Sequence, residues 1–260
     1  MNTATMQTTK QTTQSMQQFS DHGVSHLAII CDGNRRWAKS RGWEVFKGHE
    51  QAVNQVFEPL IMHAQSRGIS FITFWIFSTE NWKREKREVD FLMNLFRSFF
   101  DRQVEELHKK NVRVNMIGDI SAFAPDIQEK IRSTMEQTKN NTGIVVTLAM
   151  NYGGRDELTR AVKRIAAKVE AGELSVAEIT RAAVAGELDT AGAHLPNAAI
   201  LPDPEVIVRT GGEQRMSGFL SWQHEYAEFM FPDFPFPDFT SERLDEILEE
   251  FVNRQRRFGK

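Results

Sequence analysis

The segment of this chain best suited to chemistry is the point where the apolar run 26–31 ends in a single carboxylate, Asp32. A Gly-Asn break follows and leads into Arg35 and Arg36. Such a strand-to-helix junction suits a phosphate, because unpaired backbone N–H groups and the positive end of the helix dipole attract an anion. A carboxylate beside that anion repels it unless a cation such as Mg2+ lies between them. The junction therefore predicts a site for a metal-bound phosphate ester.

Length and composition limit the classes of protein to which this chain can belong. Its 260 residues, 40% hydrophobic and 26% charged, are typical of one globular domain. The net charge of −3 gives no overall electrostatic reason to bind nucleic acid, so an anion site must be local. The single cysteine, Cys31, excludes an intrachain disulfide and favours a reducing compartment, and we expect the cytoplasm. No run approaches the roughly 18 apolar residues of a membrane span, and the amino terminus lacks the pattern of an export signal.

The order of apolar patterns predicts an α/β fold with a mainly parallel sheet surrounded by helices. Residues 1–20 are rich in Thr, Gln and Met and predict a disordered tail, which leaves 21–260 as a single domain. Strands are predicted, from the short β-rich runs, at 27–31, 71–77, 112–117, 144–150 and 205–208. Helices are predicted, from the longer amphipathic segments, at 50–67, 88–110, 125–139, 157–171 and 241–258.

Polar loops follow four of the predicted strands, at 32–36, 78–84, 151–155 and 209–217. In open α/β sheets ligands bind beyond the carboxyl ends of the strands, so we expect these loops to meet at one edge. The last loop offers two guanidinium groups and a hydroxyl, from Arg209, Arg215 and Ser217, which could grip a diphosphate. The sequence thus predicts two phosphate sites, one on the first loop and one on the last.

Six sequence blocks in this order resemble the cis-prenyltransferase family, whose best-known members are the undecaprenyl diphosphate synthases. The resemblance runs from about residue 26 to 259. The blocks are HLAIICDGNRRWA from residue 26, GHE from 48, FSTENWKR from 77, NYGGR from 151, RTGGEQRMSGFLSWQHEYAEFMF from 209 and RQRRFG from 254.

The resemblance implies an activity and a set of partners. Such an enzyme condenses isopentenyl diphosphate with an allylic diphosphate such as farnesyl diphosphate, using Mg2+, and releases diphosphate as a Z-polyprenyl diphosphate forms. It also implies a homodimer, a hydrophobic tunnel between sheet and helices for the growing tail, and a peripheral membrane contact through the lipid product. Mg2+ together with arginine and amide donors would stabilise the charge that develops on the leaving group.

The resemblance also assigns roles to individual residues. Asp32 would work with Mg2+ to promote loss of the allylic diphosphate, Glu228 would complete the metal site, and Asn81 would orient groups for proton transfer. The allylic diphosphate would be held by Gly33, Asn34, Arg35, Arg36 and His49. Isopentenyl diphosphate would lie against Arg209, Arg215 and Ser217. The remaining substrate contacts would come from Trp37, Ser78, Thr79, Glu80, Trp82, Arg84 and Met216.

Simpler interpretations exist for several of these residues. Asp32 could cap the following helix, and Trp37 and Trp82 could be ordinary core aromatics. Cys31 fits a small buried hydrophobe better than a nucleophile. For the whole chain, the alternatives are a noncatalytic subunit of a heteromeric prenyltransferase and an unrelated nucleotide-binding or phosphohydrolase protein. The retained Asp32 argues against the first, and the absence of a GxxxxGK[ST] loop argues against the second.

Product length is predicted from an apolar helical stripe and from one strand. The stripe comprises Leu92, Leu95, Phe96, Phe99 and Phe100, and would line the tunnel. Ile76 stands where many long-chain members of the family have a small residue, and Phe74 and Trp75 would add volume. This crowding favours a short-chain synthase, with a product shorter than undecaprenyl.

Three features depart from the family pattern. Val45 replaces an arginine that helps to hold the allylic diphosphate, and Lys47 could compensate only as a point charge. Gln214 replaces a common histidine in the last loop. The stretch 186–204 looks longer than the usual connection, and the sequence suggests no function for it.

Overall fold

The computed structural model describes residues 22–191 and 201–254. Its centre is one sheet whose pairings are all parallel. The strands are β1 (His26–Ile30), β2 (Phe71–Ser78), β3 (Arg113–Ile117), β4 (Val145–Tyr152), β5 (Val206–Arg209) and β6 (Glu228–Met230). They lie in the order β3-β4-β2-β1-β5-β6. The predicted α/β fold with a parallel sheet is therefore confirmed.

Helices cover the sheet and connect its strands. They are α1 (Asn34–Ser40), α2 (Phe46–Gln51), α3 (Phe57–Ser66), α4 (Lys86–Lys109), α5 (Pro125–Thr138), α6 (Gly154–Glu170), α7 (Arg181–Ala185) and α8 (Ser241–Asn253). A π-helical turn, Ala52–Val56, joins α2 to α3, and a 3-10 turn, Thr79–Lys83, follows β2. Within residues 22–191 and 201–254, no helix is long and apolar enough to cross a membrane.

The central strands are buried on both faces, as expected for a parallel sheet covered by helices. Alternate residues of β1 point to opposite faces. Leu27 and Ile29 belong to the larger core, which also contains buried residues of α3, α4, α5 and α8. Ala28 and Ile30 pack in a second core together with Phe219 and the ring of Trp75.

The predicted strands agree with the structure to within two residues, whereas two details differ. β6 is an additional strand of three residues at the sheet edge. The helix predicted over 50–67 begins earlier, at Phe46, and is divided by the π-helical turn. The helix predicted over 241–258 ends at Asn253, where the backbone of Arg254 becomes extended. The tail 1–20 and residues 255–258 lie outside the described residues.

The strand order places the two predicted phosphate loops side by side. β1 lies between β2 and β5, and the chain leaves this centre in both directions along the sheet. The carboxyl ends at such a switch point border a crevice, which is where open α/β sheets bind ligands. The loops after β1, β2 and β5 therefore converge.

Candidate active site

Asp32 and Arg209 join the first and last loops in a direct ion pair. Ile30 at the end of β1 is in register with Arg209 at the end of β5. Arg209 Nη2 donates to Asp32 Oδ2 at 2.8 Å, and the Gly33 backbone N–H donates to Oδ1 at 2.6 Å. The Arg209 side chain is only 7% exposed, whereas that of Asp32 is 34% exposed. Asp32 is thus held by a buried cation while remaining open to a ligand.

The backbones of the two loops are also joined directly. Thr210 Oγ1 lies 2.8 Å from the Asp32 carbonyl, to which it donates, and accepts the Asp32 N–H at 3.0 Å. Thr210 is fully buried, so water does not compete for these hydrogen bonds. The relative position of the two loops is therefore fixed by the fold.

The last loop is folded around the Arg209 guanidinium. Its Nη1 donates to Ser217 Oγ at 2.8 Å and to the Arg215 carbonyl at 2.5 Å. Ser217 has a φ of 51°, an uncommon left-handed conformation for a residue with a side chain. Such strain clusters at functional sites and persists only where the surrounding structure imposes it. Arg209 supplies that constraint here.

A carboxylate links arginines of the two predicted phosphate sites. Glu213 forms an ion pair with Arg215, and Arg36 Nη1 lies 3.8 Å from Glu213 Oε1. Arg36 Nη2 also donates to the Gly211 carbonyl at 2.7 Å. Both arginines are more than half exposed, so their charge is available to an anion.

Two glycines permit the close approach of the first loop to its neighbours. Gly33 has a φ of 94°, and a Cβ atom there would lie 2.6 Å from the Cβ of Pro235. A Cβ at Gly48 would lie 1.9 Å from the Asn34 carbonyl oxygen, so α1 and α2 can pack only with glycine at this position. The Gly-His pair therefore brings His49 against the first loop.

His49 lies at the cavity as an uncharged donor or acceptor. Burial, together with the smaller effect of the nearby Arg84 and Arg35 charges, lowers the pKa of its imidazole to about 4. Its Nε2 is buried, and the described residues provide no hydrogen-bond partner for it. A buried polar atom without a partner costs free energy, and a ligand would remove that cost.

Glu88, which sequence reasoning missed, holds two of the site's cations. It is buried at the first turn of α4 and accepts from Arg84 Nη1 at 2.8 Å, while Arg35 Nη1 lies 3.6 Å from its other oxygen. The i,i+4 spacing of Arg84 and Glu88 was the available signal. α1 has only seven residues, so these positive side chains contribute more to an anion site than its short dipole.

The turn after β2 presents Asn81 in a fixed orientation. Its Oδ1 accepts the Ser78 backbone N–H at 3.0 Å, and the Ser78 side chain accepts the Asn81 N–H in return. The amide –NH2 group of Asn81 is therefore the end left for a ligand. Trp82, the next residue, donates its Nε1–H to Asn151 Oδ1 at 2.8 Å, so the segment at the end of β4 supports this turn.

A cavity of about 260 Å³ connects these polar groups to the apolar stripe of α4. Its polar wall is formed by Asp32, Asn34, His49, Ser78, Asn81, Arg84, Arg209 and Ser217. Its apolar wall includes Ile76, Leu92, Leu95, Phe96, Phe99, Phe100 and Phe236. Eight of the predicted site residues and the whole predicted stripe therefore line the same cavity.

Other predicted contacts do not line this cavity. The predicted residues outside the cavity lining are Gly33, Arg35, Arg36, Trp37, Thr79, Glu80, Trp82, Arg215, Met216 and Glu228. Trp37 is buried, donates its Nε1–H to Asp238 at 2.6 Å and lies under the guanidinium of Arg41, which favours the core interpretation of this residue.

Two of the three bulky residues predicted to crowd the tail space, Ile76 and Trp75, line the cavity, whereas Phe74 does not. Ile76 lies at a bulge in β2 and contacts both the cavity and the larger core. The Trp75 ring stacks on Phe219 at 5.2 Å in the second core, although Trp75 touches the cavity. Phe74 is fully buried and does not line the cavity. Strand alternation, locally shifted by the bulge, explains this distribution.

The structure does not bring Glu228 together with Asp32 in one chain. Glu228 pairs with Val206 at the amino end of β5, roughly 10 Å along the strand from Arg209 at its carboxyl end. Its carboxylate accepts from Arg254 Nη1 at 3.0 Å. Within residues 22–191 and 201–254, no three His, Cys, Asp or Glu side chains gather to hold a metal.

A second polar cluster, the Glu157 cluster, lies beside the site and comprises Tyr152, Glu157, Asp189, Thr190 and Gln223. Glu157 is fully buried and accepts from the Tyr152 hydroxyl at 2.6 Å, the Asp189 N–H at 3.0 Å and Gln223 Nε2 at 3.3 Å. Burial raises the pKa of its carboxyl to about 6. The first part of the unexplained stretch 186–204 is therefore bound to α6, and 192–200 lie outside the described residues.

Comparison with protein families gives one result over most of the chain. The sequence profile of the undecaprenyl diphosphate synthase family matches residues 30–259. An isoprenyl transferase of Clostridium perfringens is 41% identical over 93% of this chain and 92% of its own length. A ditrans,polycis-undecaprenyl-diphosphate synthase of Vibrio vulnificus, specific for (2E,6E)-farnesyl diphosphate, is 42% identical over 95% and 94%.

Two solved structures share the fold. Lavandulyl diphosphate synthase from Lavandula x intermedia, in complex with dimethylallyl diphosphate, superposes with a TM-score of 0.87 at 37% identity, covering 93% of this chain and all of that one. A protein from Campylobacter jejuni described as a probable undecaprenyl diphosphate synthase superposes with a TM-score of 0.74 at 35% identity, covering 91% of this chain and 99% of that one.

Proposed function

We propose that this chain, a cis-prenyltransferase of the undecaprenyl diphosphate synthase family, binds its two diphosphate substrates on the loops joined by the Asp32–Arg209 ion pair. The single observation that carries the proposal is that this pair lies on the wall of a cavity whose other end is apolar. Two diphosphate groups need the charged loops, and a prenyl tail needs the apolar end of the cavity. Isopentenyl diphosphate and an allylic diphosphate together carry two diphosphate groups and a prenyl tail.

The allylic diphosphate would lie on the first loop. Arg35, Arg36 and Arg84 supply positive charge there, and neutral His49 can donate its Nε2–H to a phosphate oxygen. Because Val45 offers no charge, we propose that Arg84, held by Glu88, supplies part of the missing attraction. An arginine at position 45 would reach the diphosphate from the start of α2, whereas Arg84 would reach it from the start of α4.

Mg2+ fits the residues that the chain offers. This ion is usually bound by one or two carboxylates together with substrate phosphates. Asp32 is such a carboxylate, partly exposed between two sets of arginines. When bound, Mg2+ would supply Lewis-acid stabilisation of the departing diphosphate. The Arg209 and Gly33 donors hold the Asp32 carboxylate in a fixed orientation for that role.

Isopentenyl diphosphate would lie on the last loop, against Arg209, Arg215 and Ser217. The free Nε of Arg209 is buried and lacks a hydrogen-bond partner among the described residues, which marks a position for a ligand oxygen. Asn81, across the cavity, would orient the group that loses a proton after the new bond forms. An amide is a poor base, so a phosphate oxygen is the better acceptor of that proton.

We propose further that the product is shorter than undecaprenyl. A cavity of about 260 Å³ is near the lower limit, roughly 300 Å³, of sites for small ligands. Ile76, Phe99 and Phe100 all line it and take up space in its apolar part. The higher TM-score with a synthase solved with a small allylic diphosphate, dimethylallyl diphosphate, supports the same conclusion.

Assembly and location are part of the proposal. A homodimer would allow Glu228, which lies away from Asp32 in its own chain, to complete a metal site in another copy. The single partly buried cysteine favours a reducing compartment, the cytoplasm. A lipid product would bring the enzyme to a membrane surface.

The test is incubation of the purified chain with Mg2+, radiolabelled isopentenyl diphosphate and allylic primers of increasing length, followed by sizing of the products. We expect incorporation with at least one primer, loss of incorporation in Asp32→Ala, and full activity in Lys163→Gln, a matched change at an exposed position of α6. No incorporation with any primer would contradict the substrate assignment. A product distribution dominated by undecaprenyl would contradict only the short-chain proposal.

A further inference from the structure

The solvent-facing surface formed by α1, α2 and the start of α4 is basic, although the chain as a whole is acidic. Residues 35–50 and 83–90 contain nine lysines and arginines and five acids, a net formal charge of +4 in a chain whose total is −3. Contacts join the two segments into one surface: Arg87 lies 3.5 Å from Glu44 and 5.3 Å from the ring of Phe46, which stacks on Phe91 at 4.8 Å.

This surface, the Trp43 patch, consists of exposed cations and aromatic residues that are at least partly exposed. Its members are Lys39, Arg41, Trp43, Phe46, Lys83, Lys86, Arg87 and Phe91. Trp43 is 51% exposed, the only exposed tryptophan among the described residues. Its neighbours Val45 and Phe46 are also partly exposed. The replacement of the family's arginine by Val45 thus adds an apolar side chain beside Trp43.

We propose that the Trp43 patch binds the surface of an anionic phospholipid bilayer. Segments that bind at the membrane–water interface typically combine tryptophan and phenylalanine with lysine and arginine. Their aromatic rings enter the headgroup region, and their cations face anionic lipids. Each basic residue near such a surface raises the partition coefficient about fivefold. Acids within the patch, Glu44, Glu50, Glu85 and Asp90, reduce the net attraction but leave it positive.

The position of the patch connects the bilayer to the tail space. His49 and Val53 continue from Phe46 along the α2 segment and line the cavity, and Leu92 follows Phe91 on α4 and lines it too. The two segments that carry the patch therefore enclose the prenyl tail. This connection rests on the proposed function, because only a prenyl product would need to pass into lipid, whereas bilayer binding itself depends only on the patch.

The test is cosedimentation of the full chain with vesicles, at low and high NaCl. We expect binding to an equimolar mixture of phosphatidylcholine and phosphatidylglycerol, and much weaker binding to phosphatidylcholine alone. Raising NaCl should weaken the binding, because salt screens exposed charges. Trp43→Ser should reduce the partition coefficient at least about fivefold, and Lys39→Gln/Lys86→Gln should reduce it about 25-fold. The matched control, Val162→Ser/Lys163→Gln on exposed α6, should bind like the unchanged protein.

Two results would overturn the proposal. One is equal binding to both kinds of vesicle, and the other is unchanged binding in all patch variants. A change of oligomeric state in Trp43→Ser without a change in vesicle binding would assign the patch to a second copy of the chain instead. Prenyl transfer with a short, water-soluble primer is measured on the same variants. Retained transfer with lost binding supports the patch, whereas absence of transfer in the unchanged protein would count against the proposed function alone.

Discussion

Two polar clusters lie near the same edge of the sheet, yet they are built differently. Both oxygens of the fully buried Glu157 carboxylate accept hydrogen bonds from protein groups. Around the more exposed Asp32, by contrast, three atoms, Asn34 Oδ1, His49 Nε2 and Arg209 Nε, are buried without partners in the described residues, whereas the Glu157 cluster has one such atom, Gln223 Oε1. Because such atoms are costly unless a ligand satisfies them, the comparison separates a structural network from a binding site.

The largest expected effect is that of breaking the link between the two loops. Arg209→Gln removes the cation that holds both Asp32 and Ser217, so we expect kcat/KM for isopentenyl diphosphate to fall about 10³-fold. The melting temperature should fall by only a few degrees, because Asp32, the carboxylate that loses its partner, is 34% exposed and can be solvated. Steady-state kinetics and circular dichroism check both statements. A variant with lost activity and equally lost stability would mean that Arg209 is structural, as Glu157 is.

Glu157 should show the opposite pattern, with an effect on stability rather than on turnover. Its folded pKa of about 6 lies above the ordinary 4.5, so the stability it contributes is fully present below pH 4.5 and is lost as pH rises through 6. Glu157→Gln cannot ionise and should therefore be stabilised, relative to the unchanged chain, by about 2 kcal/mol more at pH 8 than at pH 4.5. Urea unfolding at both pH values measures this difference.

A second variant checks the interpretation of that result. Glu157→Leu leaves the Tyr152 hydroxyl and Gln223 amide without their acceptor and should cost about 3 kcal/mol at neutral pH. We expect its kcat, measured well below the melting temperature, to remain within about tenfold. A glutamine variant with the same pH dependence as the unchanged chain would show that Glu157 does not titrate in this range.

His49 tests whether an unsatisfied atom marks a ligand contact. Its folded pKa of about 4 lies below the ordinary 6.5, so the stability that depends on its neutral form is present above pH 6.5 and is lost as pH falls towards 4. His49→Phe should remove that acid dependence and, by removing one donor to the diphosphate, raise KM for the allylic substrate about tenfold. An unchanged KM would place the imidazole outside the binding site.

Ile76→Ala should cause the smallest change in rate, but it should change the chain length of the product. Removing most of this side chain enlarges the cavity that it lines, so the longest products should gain isoprene units while the first condensation keeps its rate. Thin-layer sizing of labelled products measures the shift. Phe74→Leu, a change behind the cavity wall, is the control and should leave the product distribution unaltered.

The sequence predicts much of this architecture because the signals are local. Runs of β-branched and aromatic residues define five strands, and the residues that follow β1 and β5 meet as expected because parallel strands end at one edge. β6 was missed because three residues carry too little periodicity. The π-helical turn in 52–56 depends on packing that a helical pattern does not show.

Side-chain partners from distant segments were the features that sequence reasoning could not predict. Glu157 binds groups from β4, residue 189 and residue 223, and no spacing in the chain indicates that they meet. Glu228 was predicted to complete the metal site, but register places it at the amino end of β5. Trp75 was predicted to add volume to the tail space, and it lines the cavity, but its ring stacks on Phe219 in the second core. A shift of one residue in strand register would move every side chain of the strand to the opposite face of the sheet.

The central claim is that Asp32, held by Arg209, acts with Mg2+ to promote departure of the allylic diphosphate. It is tested most directly by single-turnover rates at increasing Mg2+ for the unchanged enzyme and for Asp32→Asn, which keeps the size of the side chain but removes its charge. The account predicts a rate at least about 10³-fold lower in the variant, with little remaining stimulation by Mg2+. A variant rate within tenfold of the original, with the same dependence on Mg2+, would contradict it.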